Sequence, residues 1–204
     1  MNELVIVDYG MGNLRSVEKA VEYVGGRATI SADPNVVGSA RSLILPGVGA
    51  FGDAITRLRG GGLVEPICDQ IRRGTPFLGI CLGLQLLFRT SQEGGEHEGL
   101  NVFDGEVVRF ADQPGLKVPH MGWNHLRVVR PAPLFAGLGE NAAVYFVHSY
   151  HVVPRDPALV ATETDYPTPF VSSIWRDNVF GVQFHPEKSQ RVGLGILHKF
   201  VMLR

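Results

Sequence analysis

Three side chains suited to covalent attack on a carbonyl occur in spacings that such chemistry would use. Cys81 lies inside Gly79-Ile80-Cys81-Leu82-Gly83, and His185 and Glu187 lie far downstream inside His185-Pro186-Glu187-Lys188. Gly-x-Cys-x-Gly has the form of a nucleophile elbow, where small flanking residues let a strained strand-to-helix turn close and lift the sulfur above a sheet edge. A cysteine placed there sits at a helix N-terminus, whose dipole and free N–H groups favour thiolate over thiol. An imidazole can take the thiol proton on one ring nitrogen and pass it to a leaving group, provided that an acceptor on the other nitrogen fixes its tautomer. Glu187, two positions on from His185 with Pro186 stiffening the step, is placed to be that acceptor. Taken singly, Cys81 also reads as a small hydrophobe in a strand and His185 as a hydrogen-bonded core histidine. Their conjunction points to acyl transfer. The attacked oxygen then needs N–H donors, and the backbone N–H of Leu82 and one from Gly47-Val48-Gly49 are suitably placed. That loop alone is equally an ordinary glycine-rich connection.

The elements that must position these groups follow from hydrophobic patterning. Leu4-Val5-Ile6-Val7, Ser42-Leu43-Ile44-Leu45 and Phe77-Leu78-Gly79-Ile80 are short continuous apolar runs, as expected for parallel strands buried on both faces. Amphipathic helices are predicted over Leu14 to Val24 and over Asp53 to Arg73, the second interrupted near Gly60-Gly61-Gly62 and Pro66, and a short strand over Ala28-Thr29-Ile30. Helical spacing resumes at Leu84, Leu87 and Phe88, just after the cysteine. Ser91 to Gly99 is a polar loop with the composition of a solvated surface. Thereafter strands outnumber helices: Glu106–Phe110, Leu126–Val129, a long Val144–Val152, Ser172–Trp175 and Val179–Phe184, before a last helix from about Arg191 to Leu203. The expected fold is α/β, an open and mostly parallel sheet flanked by helices, with an added antiparallel hairpin section.

Composition narrows the function classes. The 204 residues suffice for one sizeable core, and no linker divides them, so residues 1–204 are expected to form one domain. A formal charge of −1 with mixed signs offers no basic field for nucleic acid. Cys68 and Cys81 make no disulfide framework, and a cysteine placed for chemistry suits a reducing compartment. The start, Met1 to Asp8, carries an acid where an export signal would carry bases, and no run is long enough to span a membrane, so a soluble cytoplasmic protein is expected. No metal is expected: Cys81, His148, His151 and His185 could act as ligands, but no closely spaced pair supports them. Gly10-Met11-Gly12 lacks the third glycine and the acid of a dinucleotide site. His97, His120, His125 and His198 are read as loop or helix-surface residues.

With these residues assembled, the chain resembles the class I glutamine amidotransferases, on Gly79-Ile80-Cys81-Leu82-Gly83-Leu84-Gln85 and Gln183-Phe184-His185-Pro186-Glu187-Lys188-Ser189. The order nucleophile, histidine, acid separates it from the α/β-hydrolases. Within that family it is similar to the glutaminase subunits of imidazole glycerol phosphate synthases, on Asp8-Tyr9-Gly10-Met11-Gly12-Asn13-Leu14, Leu45-Pro46-Gly47-Val48-Gly49, Pro119-His120-Met121-Gly122-Trp123-Asn124 and Tyr145-Phe146-Val147-His148-Ser149-Tyr150. The wording differs most from Glu93 to Asp104, which touches no proposed catalytic position. The subgroup motifs argue against the glutaminase partners of pyridoxal phosphate synthase or anthranilate synthase, and the complete triad argues against a noncatalytic subunit.

The resemblance implies a flavodoxin-like core, no cofactor, and glutamine as substrate. It implies that Cys81, His185 and Glu187 are catalytic, that Val48 and Leu82 surround the oxyanion, and that Gly49, Gln85, Ser149 and Tyr150 hold glutamine. It also implies a (β/α)8 cyclase subunit as partner, with Asn13, Trp123, Tyr145 and Lys188 at the interface; from sequence alone Trp123 is almost as readily an aromatic core plug.

Overall fold

The computed structural model describes residues 4–113 and 115–203. Glu3, the acid that argued against an export signal, lies outside the described residues. In the first half, β1 (Leu4–Val7), α1 (Leu14–Tyr23), β2 (Ala28–Ser31), α2 (Pro34–Val37), β3 (Ser42–Gly47), α3 (Phe51–Gly60), α4 (Val64–Arg72), β4 (Phe77–Cys81) and α5 (Leu82–Gln85) alternate strand with helix. The second half is strand-rich: β5 (Phe88–Ser91), β6 (His97–Glu98), β7 (Phe103–Arg109), β8 (His120–His125), β9 (Arg127–Val128), β10 (Ala143–His148), β11 (Tyr150–Pro154), β12 (Val160–Asp165), β13 (Pro169–Arg176) and β14 (Val179–Val182), closed by α6 (Gln190–Val201).

The eight-stranded main sheet runs β2-β1-β3-β4-β14-β13-β12-β9. Its first five strands are parallel, and β13, β12 and β9 continue it antiparallel. Counted along the chain, the parallel strands have the 2-1-3-4-5 order of flavodoxin-like sheets, whose ligands bind beyond the strands' carboxyl ends. Strand alternation divides the apolar runs between two cores. Val5, Val7, Leu43, Leu45 and Phe77 face α2 to α5, whereas Leu4, Ile6, Ile44, Leu78 and Ile80 face α1 and α6. Two smaller sheets, β10-β8 and β11-β7-β5-β6, supply the hairpin section. Among the described residues no helix is long and apolar enough to cross a membrane.

Expected elements differ in several places: Pro66 does not interrupt a helix but lies within the first turn of α4, and the Ser91–Gly99 stretch is not all loop, since β6 pairs there with β5. The helix after the cysteine is a single turn, because Phe88 leaves it to open β5, pairs with Phe103 of β7 and packs its ring 6.0 Å from the Phe103 ring. The long strand over Val144–Val152 is two, broken at Ser149: β10 pairs with β8 while β11 pairs with β7, so the chain changes sheets there. Period-two alternation persists across such a crossing and cannot reveal it.

Candidate active site

Cys81 ends β4 with φ 54°, a left-handed value that a non-glycine side chain adopts at a cost of about 1–3 kcal/mol. The surroundings hold it there because its flanking glycines permit contacts that no Cβ would. A Cβ on Gly83 would stand 1.8 Å from the Leu45 carbonyl oxygen, and one on Gly79 would stand 2.6 Å from that of Gly83. The elbow is thus wedged directly against β3. Since α5 spans only four residues, little macrodipole acts on the sulfur.

His185 follows β14, the strand hydrogen-bonded beside β4 with Val182 opposite Ile80. Its Nδ1 is 2.8 Å from Glu187 Oε1, and the two side chains are 4 % and 2 % exposed. The Nε2 is buried and has no partner of hydrogen-bonding geometry, so it is the nitrogen open to a proton in transit. Burial alone would lower the imidazole's pKa. The nearby Cys81 sulfur and the hydrogen-bonded Glu187 carboxylate, with the charges of both, outweigh it and raise the value to about 10. The ring carries its proton at neutral pH. The segment is anchored to β10, since the His185 N–H donates to the Tyr145 carbonyl (2.9 Å), the Ser189 hydroxyl donates to the His185 carbonyl (2.6 Å), and the Tyr145 N–H donates to Ser189 Oγ (2.9 Å).

A cavity of about 340 Å³ brings together Val48, Gly49, Cys81, Leu82, Gln85, Ser149, Tyr150 and His185. Glu187 stands behind His185. Gln85, 4 % exposed, donates from Nε2 to the Tyr150 carbonyl (3.0 Å) and to Gln183 Oε1 (3.1 Å), which leaves its own Oε1 for the cavity. A larger cavity of about 810 Å³ opens at the opposite, amino ends of β1 and β3, among Leu4, Gly26, Ser42 and Met202, and its lining includes neither a cysteine nor a histidine. The remaining sequence-predicted residues lie outside the smaller cavity. Trp123 on β8 and Tyr145 on β10 are opposite each other with ring centroids 6.0 Å apart, and Trp123 is 49 % exposed, not a core plug. Asn13 and Lys188 are exposed.

Four residues were not singled out by sequence. Glu93, read as solvated surface, is half-buried, lines the cavity and accepts from the Phe51 N–H at the start of α3 (2.7 Å). The stretch of divergent wording therefore does reach the site. Gln183 is wholly buried beside Cys81. His120, read as a surface histidine, is 3 % exposed, with its Nδ1 3.1 Å from His148 Nε2. Tyr9 donates its hydroxyl to the Pro46 carbonyl (3.0 Å), bracing the chain just before Gly47-Val48-Gly49. Each contact spans at least 28 residues, beyond any local pattern, although Gln183 is a polar residue in an otherwise apolar run and could have been flagged on that ground.

The arrangement can attack an amide carbon, hold the oxyanion beside the amino end of α5, and protonate the leaving nitrogen. Comparisons with known proteins agree with that chemistry. The chain is 57 % identical over 205 residues to the imidazole glycerol phosphate synthase subunit HisH of Syntrophotalea carbinolica, covering 97 % of this chain and 98 % of that one. It is 53 % identical over 205 residues to the subunit of the same name from Geobacter sulfurreducens, covering 98 % of each. The structure of PurLQS from Thermotoga maritima shares the fold, with a TM-score of 0.73 at 19 % identity over 98 % of this chain and 96 % of that one. The family profile described as Glutamine amidotransferase class-I matches residues 5–202, and the chain belongs to that family.

Proposed function

We propose that this chain is the glutaminase subunit of an imidazole glycerol phosphate synthase, hydrolysing glutamine to glutamate and ammonia and passing the ammonia to a (β/α)8 cyclase subunit for histidine biosynthesis. The observation that carries the reading is the meeting of Cys81 and His185 in one cavity with Glu187 on the far ring nitrogen. The likeness to subunits of that name extends along nearly the whole chain.

In this reading Cys81 Sγ bonds to the side-chain carbonyl carbon of glutamine, and the oxygen's charge is held by the Leu82 N–H and an N–H of the Val48-Gly49 segment. His185 gives its proton to the amide nitrogen as the carbon–nitrogen bond breaks and ammonia leaves. Water, losing a proton to the same ring, then attacks the thioester carbonyl, and glutamate departs as the thiol is restored. Gly49, Gln85, Ser149 and Tyr150 hold glutamine, with the Glu93 carboxylate facing the same space. Asn13, Trp123, Tyr145 and Lys188 meet the cyclase; exposed Met121 and Trp123 on β8 give that surface an apolar anchor. The whole span acts as one domain, and a cytoplasmic setting suits two free thiols.

Reconstitution with the cyclase subunit tests the reading. Cys81→Ala should abolish glutamine-dependent synthesis and leave ammonia-dependent synthesis intact. Retained glutamine-dependent turnover would refute it.

A further inference from the structure

We propose that Gln183 is a positioning residue for Cys81, a buried carboxamide that gives an N–H to the sulfur and ties it through Gln85 to the wall of the substrate cavity. The proposal rests on Cys81 being the nucleophile. Gln183 lies between β14 and His185 and is 0 % exposed. Its Nε2 is 3.6 Å from Cys81 Sγ, and its Oε1 accepts from Gln85 Nε2 at 3.1 Å.

A carboxamide's two ends exchange by a half-turn, so its orientation must be argued from its partners. The Tyr150 carbonyl can only accept, and it receives one hydrogen of Gln85 Nε2. That fixes the amino end of Gln85, whose second hydrogen requires an acceptor on Gln183. Gln183 must therefore present Oε1 to Gln85 and Nε2 to the sulfur. Turning Gln183 alone would set donor against donor, and turning both would set the Gln85 oxygen against the Tyr150 oxygen. The polarity that begins at a backbone carbonyl ends as an N–H aimed at the nucleophile.

An N–H facing sulfur favours the anion, because a hydrogen bond to a charged acceptor is stronger than one to a neutral thiol. It also selects the sulfur's rotamer. The other titratable groups near Cys81 are the His185 imidazole, from the segment after β14, the Tyr9 phenol, from the segment after β1, and, lining the same cavity, Glu93 and His148. Burial first, and then the Cys81 charge, raise the Tyr9 pKa, so the phenol stays neutral. Glu187 reaches the sulfur through His185, whose Nδ1 it holds.

The test uses the full chain with Cys68→Ser, leaving one thiol, and compares Gln183→Met and Gln183→Glu with the parent. Alkylation by iodoacetamide is followed across pH, together with glutamine hydrolysis in the complex and thermal unfolding. Loss of the donor should move the alkylation curve to higher pH by about one unit, or about tenfold slower reaction on its acid limb, with hydrolysis following the same displacement. A merely structural role would lower the melting temperature and the activity at every pH without moving the curve. An unmoved curve in a folded variant overturns the proposal. In the chain with native Gln183, the Gln183 side-chain amide resonances should titrate in step with Cys81 alkylation, and their failure to respond overturns it even if neither variant folds. Failure of the glutaminase reading would be seen separately, as glutamine hydrolysis surviving Cys81→Ala.

Discussion

His185 and the His120–His148 pair are equally withdrawn from water, at 3 %, 3 % and 5 % exposed, yet they hold protons in opposite senses. The His185 pKa is raised to about 10, whereas burial lowers His120 to about 4 and His148 to about 3. Burial pushes all three the same way, so depth does not explain the difference. The partners do. His185 has a carboxylate on one ring nitrogen and a sulfur near the other. The pair has a carbonyl, an amide and aromatic faces: His148 Nδ1 lies 2.9 Å from the Tyr150 oxygen, Asn124 Nδ2 lies 3.3 Å from His120 Nε2, and the Tyr166 and Phe146 rings stack on His120 with centroids at 3.8 and 4.8 Å. One buried histidine is built to carry a proton, and two neighbours are built to stay neutral beside it.

The largest expected effect comes from making His185 resemble the pair. Glu187→Gln removes the charge and alters the tautomer preference, and glutamine hydrolysis in the complex should fall by about ten-thousandfold, a loss comparable with that of other triad carboxylates. A fall of less than about tenfold would mean that the carboxylate is not what distinguishes the two regions.

Next comes the pH dependence of unfolding. His120 and His148 have folded pKa values below the unfolded value near 6.5, so their contribution is complete above pH 6.5 and is lost as pH falls from 6.5 toward about 4 for His120 and about 3 for His148. The loss should be on the order of 2–4 kcal/mol by pH 5, measured by urea unfolding. His185 is opposite in sign: its contribution is complete below pH 6.5 and is lost as pH rises from 6.5 toward 10. Glu187→Gln should flatten only the alkaline limb. If it flattens the acid limb instead, the assignment of limbs is wrong.

The smallest expected effect is that of His120→Phe, which keeps a ring in the stack but removes the donor to His148 Nε2. Leaving that acceptor unmatched should cost about 1–3 kcal/mol, seen as a melting-temperature drop of about 2–4 °C per kcal/mol, and should make the acid limb shallower. An unchanged melting temperature and limb would show that the two rings do not act as a hydrogen-bonded pair.

Sequence revealed what local pattern can encode. The two glycines around Cys81 announced the tight elbow, the apolar runs announced the parallel strands, and His185-Pro186-Glu187 announced its own hydrogen bond because two residues of chain suffice to close it. What stayed hidden depends on distant chain segments. Glu93 looked solvated because its Phe51 partner is 42 residues away, and His120 looked superficial because its neighbours come from β10 and the segment after β12. The break at Ser149 was invisible because strands on either side share one alternation while pairing with different sheets.

That β4 and β14 are adjacent in the middle of the main sheet has a consequence for how the protein fails. Cys81 ends one of these strands, and His185 follows the other by three residues with its N–H tied to the Tyr145 carbonyl of β10, so parting thiol from imidazole requires breaking contacts with the sheets. Heat inactivation and global melting should share one midpoint, and the amides of these strands should exchange with deuterium only when the whole molecule opens. Val48, 42 % exposed on the cavity rim, lies just past the end of β3 and outside this pair of strands, so a displacement there would leave thiol and imidazole in register.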